Sequence, residues 1–514
     1  MSTIYIMIAI ALYLGVLIIL GARFAKDNNT VEDYYLGGRK LGPYVTAMSA
    51  EASDMSSWLL MGLPGVAYLS GVCDAFWTAI GLGIGTYLNW LLEAKRLRYY
   101  TEIIDADTVP DFYEKRFRDK SHVLMGISAV VIVIFFVPYT ASGFAACGKL
   151  FSSLFGIDYV VAMLISAIII IAYTAMGGFM AASTTDFVQS IVMTVALIAV
   201  VCFGVSQAGG IHEVSAFANS LDGYISIFNM NDYSSGASVS YGGFITIIST
   251  MAWGLGYFGM PHILLRFMAI EKPEKIALSR RVATVWVFIA MGVAIFIGIM
   301  ARAMANYGAI GELEDAERAV IVISQKLAEF GVFPALLAGV ILAGILACTM
   351  STCDSQLLAA SSSISENILH EVLGIKMDEK KNILMARITL VVIAIIAVFV
   401  ARNPDSNVFN IVSFAWAGFG GAFGPIMILA IFWRRTNKQG AIAGMISGGA
   451  MVFIWHYLLK PLGGVWGIYE LLPAFILGLV VCVVVSLLTP EPEQEILDEF
   501  DRVLTLSKST GKAS

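Results

Sequence analysis

The feature that most constrains this chain is a polar run inside an apolar stretch, residues 48–63, which reads MSAEASDMSSWLLMGL. The run holds Glu51, Asp54, Ser56 and Ser57 in a segment that is otherwise apolar enough to cross a membrane. A carboxylate near the centre of a bilayer costs about 2.5–3.5 kcal/mol even on lenient insertion scales. A chain that keeps such a group usually uses it for a cation, a proton or a substrate.

The composition predicts a protein that crosses the membrane many times. Of its 514 residues, 58% are hydrophobic and only 14% are charged, whereas about a quarter of a soluble domain is charged. Thirteen apolar stretches are each long enough to cross a hydrocarbon core of ~30 Å. They lie near 3–22, 43–69, 75–94, 124–151, 157–177, 186–207, 241–268, 281–304, 332–363, 383–401, 407–433, 439–458 and 466–488.

The basic residues test this count and set the orientation. With the N-terminus outside, six Lys and Arg residues fall on the external side, namely Lys149, Arg302, Arg318, Lys326, Arg402 and Lys460. The other 26 of the 32 fall in the cytoplasmic loops and the tail, as the positive-inside rule requires. We therefore predict thirteen transmembrane helices in the cell membrane, with the N-terminus outside and the C-terminus in the cytoplasm.

Two of the predicted spans contain residues that interrupt a helix. The second holds the run around Asp54, and the seventh reads WGLGYFGMPH from Trp253, with three glycines and Pro261. Because these spans are five apart, they cross in opposite directions, and such pairs mark the binding site of inverted-repeat transporters. The sequence thus predicts an all-α fold with two inverted five-helix repeats. The segments are 1–42 (first peripheral span and cytoplasmic loop), 43–240 (first repeat), 241–433 (second repeat), 434–489 (two peripheral spans) and 490–514 (cytoplasmic tail).

The chain lacks the sequence patterns of several other classes of protein, including ATP-driven transporters and hydrolytic enzymes. There is no Walker A, HExxH or GxSxG motif, so we expect neither an enzyme nor an organic cofactor. The six cysteines form no CxxC pair, and we interpret them as small buried residues rather than as disulfides or metal ligands. Nothing indicates nucleic-acid binding or an obligate protein partner, which leaves the lipid bilayer and small solutes. The tail is expected either to form a short surface helix or to stay disordered.

A further polar cluster in the ninth predicted span favours a cation site. Ser351 and Thr352 offer two adjacent hydroxyls, and the carbonyl of Cys348 lies one turn back. A break in the second span would free the carbonyls of Ala52 and Met55, which completes about five oxygens for a hard monovalent cation. The alternative is that both hydroxyls bond back to carbonyls of their own helix.

The two acidic residues of the second span also have more than one interpretation. Asp54 either supports a cation electrostatically, relays a proton or caps the half-helix that restarts after the break. Glu51 is expected to approach the cytoplasmic vestibule or to pair with a basic group, rather than to bind the ligand.

Four aromatic residues lie near the breaks or near polar residues: Trp58, Tyr139, Trp253 and Tyr257. Most membrane aromatics pack or anchor at interfaces. Trp253 and Tyr257 are i,i+4 neighbours beside a glycine-rich break, which makes them the stronger candidates for a ligand contact.

Long motifs in this chain resemble the sodium/solute symporter family nearly from end to end, and within it the bacterial members that carry proline. The motifs are YYLGGRKLGPYVTAMSAEASDMSSWLLMGLPG from Tyr34, FFVPYTASG from Phe135, YTAMGGFMAASTTDFVQ from Tyr173, WGLGYFGMPHILLRFMA from Trp253, MSTCDSQLL from Met350 and FAWAGFGGAFGP from Phe414. The resemblance implies an inverted-repeat core that imports L-proline, driven by Na+ as coupling ion.

The resemblance also implies roles for individual residues. The sodium site would comprise backbone oxygens of Ala52, Met55 and Cys348 with the hydroxyls of Ser351 and Thr352, and Asp54 as the nearby carboxylate. The proline site would draw on Ser56, Ser57, Trp58, Tyr139, Trp253, Tyr257 and Pro261. Arg39 and Asp186 match positions of the family that are functionally important at the cytoplasmic side. The simpler interpretation of Arg39 is a positive-inside anchor, and that of Asp186 is a helix cap.

Three positions depart from the family pattern: Ser57 replaces an expected glycine, Glu51 an expected small residue, and Met260 an expected glutamine. Ser57 and Met260 border the expected pocket, so we expect them to affect affinity or the preferred solute. Glu51 adds a charge whose effect the sequence does not predict.

Three rival functions follow from the same sequence. The first is a sodium symporter for another small organic solute, such as pantothenate, a monocarboxylate or a sugar, which the motif around Trp253 disfavours. The second is a transporter-like sensor, a class that usually carries a signalling domain, whereas the tail 490–514 shows none. The third is a channel, which saturable uptake with counterflow would exclude.

Overall fold

The chain is largely helical throughout the part that the computed structural model describes, residues 2–24, 30–375, 378–403 and 407–509. The α-helices are α1 Ser2–Phe24, α2 Val31–Leu36, α3 Pro43–Asp54, α4 Leu63–Ser70, α5 Val72–Leu88, α6 Ala94–Ile103, α7 Val109–Phe117, α8 Val123–Phe155, α9 Tyr159–Gln207, α10 Ile211–Ser220, α11 Phe244–Met251, α12 Pro261–Ala269, α13 Ile276–Asn306, α14 Ala319–Leu327, α15 Val332–Ser362, α16 Glu379–Val400, α17 Val408–Ala422, α18 Gly424–Phe432, α19 Lys438–Ile454, α20 Leu471–Leu488 and α21 Gln494–Ser509.

Shorter helical segments of other types connect or extend these helices. The π-helical segments are Trp58–Gly62, Asn89–Glu93, Ser363–Val372 and Trp455–Leu459, and the main 3-10 segment is Ala252–Gly259. Further 3-10 turns lie at Gly37–Arg39, Pro273–Lys275, Ala316–Arg318, Ala328–Phe330, Lys460–Leu462 and Gly464–Gly467. One antiparallel hairpin pairs β1 Asn229–Asn231 with β2 Ser238–Ser240, with Asn229 opposite Ser240.

The helices have the lengths that membrane spans require. Within the described residues, nine helices are long and apolar enough to cross a membrane, and three shorter apolar helices are Trp58–Ser70, Tyr159–Ala175 and Phe244–Gly259. Each of the thirteen predicted stretches overlaps helical structure. The all-α membrane fold is therefore confirmed, while the number of crossings and the segment boundaries of the two repeats stay predictions.

A glycine divides α9 into two helices where the sequence predicts two spans. Gly178 has φ 65° and ψ −172° inside the continuous helical assignment. A positive φ of this kind strains residues that carry a Cβ, so glycine is the residue suited to this turn. The kink separates the apolar helix Tyr159–Ala175 from the longer span Gly177–Gln207.

The centre of the bundle is built around α15, which packs against α9, α1, α8 and α3. This helix is buried almost continuously from Ile341 onward. A helix that is buried on all sides cannot be amphipathic, and its polar residues must find partners inside the protein. The polar cluster of the ninth predicted span therefore lies in the core rather than against lipid.

The tail forms a helix that packs on the predicted cytoplasmic face. In α21 the apolar residues Ile496, Phe500 and Val503 are buried and the helix contacts α6. Arg118 forms ion pairs with Glu495 and Glu499 of this helix. Of the two alternatives for the tail, the surface helix holds over 494–509, and residues 510–514 lie outside the described part of the chain. Five of the six cysteines are buried and Cys202 is exposed.

Candidate functional site

The second predicted span is interrupted immediately after Asp54. Helix α3 ends there, and Met55 leaves the helical region with φ −74° and ψ 69°. The N–H of Ser56 donates to the carbonyl of Asp54 at 2.8 Å instead of to the carbonyl of Ala52 four residues back. The Ala52 carbonyl is thereby released from the helical pattern.

The released carbonyl meets a hydroxyl from α15. The Ser351 Oγ lies 2.7 Å from the Ala52 carbonyl oxygen, 2.8 Å from the Ala347 carbonyl and 3.1 Å from the Cys348 carbonyl. One hydroxyl hydrogen serves one of these acceptors at a time, which leaves lone pairs on Oγ for a cation. The two segments that the sequence predicts to share an ion are therefore in direct contact.

Thr352 makes the contact that the alternative interpretation predicts. Its Oγ1 donates to the carbonyl of Cys348 at 3.0 Å, and the side chain is 1% exposed. A hydroxyl that donates to its own helix keeps acceptor capacity, so this back-bonding is compatible with a role as ligand. Both interpretations of the Ser-Thr pair thus describe the same geometry.

Asp54 has neutral partners. The Tyr257 hydroxyl donates to Oδ2 at 2.5 Å, while the Tyr139 hydroxyl and the Trp58 indole N–H donate to its backbone carbonyl, each at 3.3 Å. Its Oδ1 is buried and has no hydrogen-bond partner among the described residues. Asp54 is the last residue of α3, and its carboxylate accepts from no backbone N–H of the described residues, so the capping interpretation is wrong.

The seventh predicted span is interrupted as the sequence predicts. Helix α11 ends at Met251, the 3-10 segment Ala252–Gly259 follows, and Met260 is extended with φ −80° and ψ 105°. Pro261 is the first residue of α12, where its missing N–H costs nothing. Met260 is fully buried.

The aromatic residues of both interruptions join one cluster. The rings of Trp58 and Trp253 lie 6.2 Å apart, and the rings of Tyr257 and Trp416 meet edge-on at 5.1 Å. The Trp416 indole N–H donates to the Trp253 carbonyl at 2.7 Å. Gly256 permits this approach, because a Cβ there would lie 1.9 Å from the indole nitrogen.

The sequence interpretation missed three members of this cluster, and one of them is Phe409, whose ring lies 5.3 Å from that of Trp253. Trp416 belongs to the FAWAGFGG motif of α17, and Tyr469 stacks on Trp253 with ring centroids 5.3 Å apart. The motif itself was a usable signal for Trp416, because it places an aromatic residue among glycines. Tyr469 lies in an ordinary apolar context and carried no such signal.

Glu51 lies beside an indole rather than a basic group. Its Oε1 accepts the Trp90 indole N–H at 3.1 Å, and Oε2 has no partner in the described part of the chain. The side chain is 1% exposed. The expectation that Glu51 pairs with a basic residue or reaches the vestibule is therefore wrong. Ser57 is likewise fully buried, with an unpartnered hydroxyl among the described residues.

Asp186 belongs to a buried ion pair. Its Oδ2 accepts from the Ser49 hydroxyl at 2.6 Å and from the Arg266 guanidinium at 3.0 Å. Arg266 also donates to the Ser355 hydroxyl at 2.6 Å. Asp186 lies in the interior of α9, so the helix-cap interpretation is wrong. The sequence interpretation missed Arg266 because an arginine near the cytoplasmic end of a span looks like a positive-inside residue.

Arg39 joins three segments at the predicted cytoplasmic end. It donates to the carbonyls of Ala106 at 2.7 Å and Met268 at 3.1 Å, and it forms an ion pair with Asp107 at 3.5 Å. Its backbone has φ 55°. Arg39 therefore connects the segment before α3 to the loop after α6 and to the end of α12. A residue that acts only as a positive-inside anchor would not need these contacts.

A cavity of about 450 Å³ opens at the same end. Tyr35 and Thr108 line both this cavity and a narrow cleft that reaches Arg266 and Ser355. Burial raises the pKa of Asp111 on the cavity wall, although Lys115 opposes this shift. Burial also raises the pKa of its neighbour Glu114. The polar cavity and the cleft that reaches Arg266 thus share a wall formed by Tyr35 and Thr108.

Comparisons with known proteins identify the family of this chain. A family model described as the sodium:solute symporter family matches residues 34–448. The chain is 40% identical over 509 residues to a sodium/proline symporter of Staphylococcus aureus, covering 97% of this chain and 95% of that protein. It is also 40% identical over 495 residues to the osmoregulated proline transporter OpuE of Bacillus subtilis (strain 168), covering 95% of this chain and 96% of that protein.

Two solved structures share the fold at low sequence identity. A Na+-coupled sialic acid symporter in a substrate-bound outward-open state aligns with TM-score 0.76 and 18% identity, covering 95% of this chain and 99% of that one. MhsT in complex with L-phenylalanine aligns with TM-score 0.53 and 14% identity, covering 87% of this chain and 98% of that one. The family match over most of the chain, together with these identities, shows that this multi-pass membrane protein belongs to the sodium:solute symporter family.

Proposed function

We propose that this chain imports L-proline together with Na+ by alternating access across the cell membrane, with its N-terminus outside and its C-terminus in the cytoplasm. The observation that carries the proposal is the 2.7 Å contact between the Ser351 hydroxyl and the Ala52 carbonyl, beside Asp54 at an interrupted helix. Membership of a sodium symporter family supports Na+ as the coupling ion. The names of the 40% identical relatives support proline as the solute.

The coupling ion would bind between α3 and α15. Its ligands would be the carbonyls of Ala52, Met55 and Cys348 and the hydroxyls of Ser351 and Thr352. Asp54 would supply the negative charge from one turn away. Because the ligands come from two helices, a bound ion favours the arrangement in which those helices touch, and its loss lets them separate.

The solute would bind beside the ion, within the aromatic cluster. The apolar ring of proline suits the faces of Trp58, Trp253 and Tyr257, while its carboxylate and amine need polar partners. Ser56, Ser57 and Tyr139 supply hydroxyls, and Pro261 starts α12 at the edge of this region. Ser57 and Met260 are the positions we expect to tune affinity and the choice of solute.

The closed and open sides of the molecule support alternating access. Trp58, Trp253 and Tyr257 are each at most 4% exposed, whereas the polar cavity opens at the predicted cytoplasmic end. This combination is the one expected after the external path has closed and before the solute leaves. A membrane potential of ~100 mV contributes about 2.3 kcal/mol per charge, which supports roughly 50-fold accumulation for one Na+.

Uptake of radiolabelled L-proline into proteoliposomes, with and without an inward Na+ gradient, tests the proposal. We expect uptake to depend on the gradient, to saturate, and to show counterflow, which a channel lacks. Excess unlabelled pantothenate or a monocarboxylate should leave it unchanged. Equal uptake in both conditions would contradict Na+ coupling, and competition by those solutes would favour the rival cargo.

Two matched variants separate ion binding from simple back-bonding. Thr352 and Thr349 both lie in α15 and both donate to their own helix, to the Cys348 carbonyl at 3.0 Å and the Ile345 carbonyl at 2.8 Å. If Thr352 is a ligand, Thr352→Val should raise the Na+ concentration for half-maximal uptake by about 10-fold, and Thr349→Val should change it by less than about 2-fold. Equal effects would remove Thr352 from the site.

A further inference from the structure

Two carboxylates share the end of α3, although the expected ion site needs only one. Glu51 and Asp54 lie three residues apart, one helical turn, and each is 1% exposed. One oxygen of each accepts a hydrogen bond from a neutral donor, Trp90 for Glu51 and Tyr257 for Asp54. The second oxygens, Glu51 Oε2 and Asp54 Oδ1, have no partner within the described ranges.

A third unpartnered oxygen comes from α5. Thr86 is fully buried, and its Oγ1 has no hydrogen-bond partner in the part of the chain that the structure describes. It lies four residues before Trp90, so it shares the face of this helical stretch that meets Glu51. The hydroxyl also faces the Tyr257 hydroxyl, which in turn donates to Asp54. The Tyr257 hydroxyl thus connects Thr86 with the Asp54 carboxylate, and Trp90 connects the same helical stretch with the Glu51 carboxylate.

The surroundings supply no positive side chain to these two carboxylates within the described residues. In the described residues, no arginine, lysine or histidine forms an ion pair with Glu51 or Asp54. Both side chains also sit in the last turn of α3, where the helix dipole adds negative potential. One cation at the Ala52–Thr352 site offsets one of the two charges, and burying the other uncompensated would cost several kcal/mol.

We propose that Glu51, Asp54 and Thr86 form a second Na+ site between α3 and α5, distinct from the site between α3 and α15. Carboxylate and hydroxyl oxygens are the donors that a hard monovalent cation takes. All three side chains are buried, and each carboxylate keeps one oxygen without a hydrogen-bond partner among the described residues. Glu51, the charge whose effect the sequence does not predict, is then the residue that gives this chain a second coupling ion.

A second ion changes the energetics of transport. Each charge that moves with the solute adds a factor of about 50 at ~100 mV, so two charges support about 2,500-fold accumulation. This inference goes beyond the proposed choice of solute, because the site is built without any group that contacts a solute carboxylate or amine.

Equilibrium binding of radiolabelled Na+ to the purified full-length protein, without solute, tests the proposal. We expect two sites per chain at saturation in the wild type and one site in Glu51→Gln, which keeps the shape and the Trp90 contact. Thr86→Val should retain both sites but weaken one by about 10-fold, the size expected for one lost oxygen donor. This second variant keeps the test informative if Glu51→Gln does not fold.

Glu93 provides a matched control. It is fully buried, and both of its carboxylate oxygens lack partners among the described residues, but it is not among the groups around the Tyr257 hydroxyl, which are Glu51, Asp54 and Thr86. Glu93→Gln should bind two Na+ ions like the wild type. One site in the wild type, as expected if Glu51 is simply protonated, would overturn the proposal, as would two unaltered sites in both Glu51→Gln and Thr86→Val.

The same measurement is independent of the solute. Two Na+ sites in a protein that fails to carry L-proline would sustain the second ion site and contradict the proposed solute. Na+-driven proline uptake by a protein with a single Na+ site would support the proposed solute and contradict the second ion site.

Discussion

Asp54 and Asp186 are two aspartates in the same core with opposite electrostatic surroundings. Both are buried, at 1% and 0% exposure. Asp186 has the Arg266 guanidinium at 3.0 Å and the Ser49 hydroxyl at 2.6 Å. Asp54 has the Tyr257 hydroxyl alone on its carboxylate, and its Oδ1 lacks any partner in the described chain.

The difference separates a permanent pair from a site for a mobile ion. A buried carboxylate with its own guanidinium is compensated in every state that keeps the pair together. A buried carboxylate with neutral donors alone is compensated when something positive arrives from solution. We therefore expect Asp186 to govern stability and conformation, and Asp54 to govern Na+ binding.

The largest effect should follow from breaking the permanent pair. Arg266→Gln leaves Asp186 as an uncompensated buried charge, which typically costs about 3–5 kcal/mol. Thermal unfolding of the purified protein in detergent should show this loss. The double variant Arg266→Gln with Asp186→Asn should recover much of the stability, because it removes the orphaned charge. Additive losses in the double variant would contradict the pairing.

The next effect should follow from neutralising the unpaired aspartate. Asp54→Asn keeps the size of the side chain and an acceptor for Tyr257 but removes the charge. We expect the Na+ concentration for half-maximal binding to rise about 100-fold, equivalent to about 2.7 kcal/mol, with little change in thermal stability. Asp186→Asn is the control and should show the opposite pattern. An unchanged Na+ requirement would remove Asp54 from the ion site.

The smallest effect concerns a carboxylate outside the membrane-spanning part. Burial opposes ionisation of Asp119, but the Ser121 hydroxyl, the Leu124 N–H and Lys438 donate to it and lower its pKa to about 2. A lowered pKa stabilises the folded state above about pH 4, and this stabilisation is lost as pH falls towards 2.

Asp119→Asn should therefore cost about 1–2 kcal/mol near neutral pH, through its lost charge-assisted hydrogen bonds. The melting curves of wild type and variant should begin to converge below about pH 4 and should meet near pH 2. A stability difference that stays constant from pH 7 to pH 3 would show that the ionised form of Asp119 contributes nothing.

The sequence predicts the parts of the site in which polar residues interrupt an apolar pattern. Asp54, Ser351 and Thr352 stand out because a membrane segment rarely keeps such groups without use. The sequence also predicts both helix interruptions. The polar run indicates the one in the second span, and the glycines before Pro261 indicate the one in the seventh. These signals are local, since each depends on residues within one span.

The side chains that contact these polar groups could not be predicted from the sequence. Arg266 has the sequence context of an ordinary cytoplasmic-end arginine, yet its guanidinium lies in the core at 1% exposure. Glu51 was expected to meet a basic residue and instead meets Trp90. Which donor faces a buried acid depends on how helices pack and rotate, and hydropathy carries no information about that rotation.

The sequence by itself determined the class of protein, its helices and where two of them break, because hydropathy, charge asymmetry and helix-breaking residues act locally along the chain. Tertiary structure alone decided that Asp186 meets an arginine eighty residues away, while Asp54 and Glu51 meet no basic side chain among the residues that the structure describes. The physical reason is that compensation of a buried charge depends on atoms within a few ångströms, and those atoms come from helices distant in sequence.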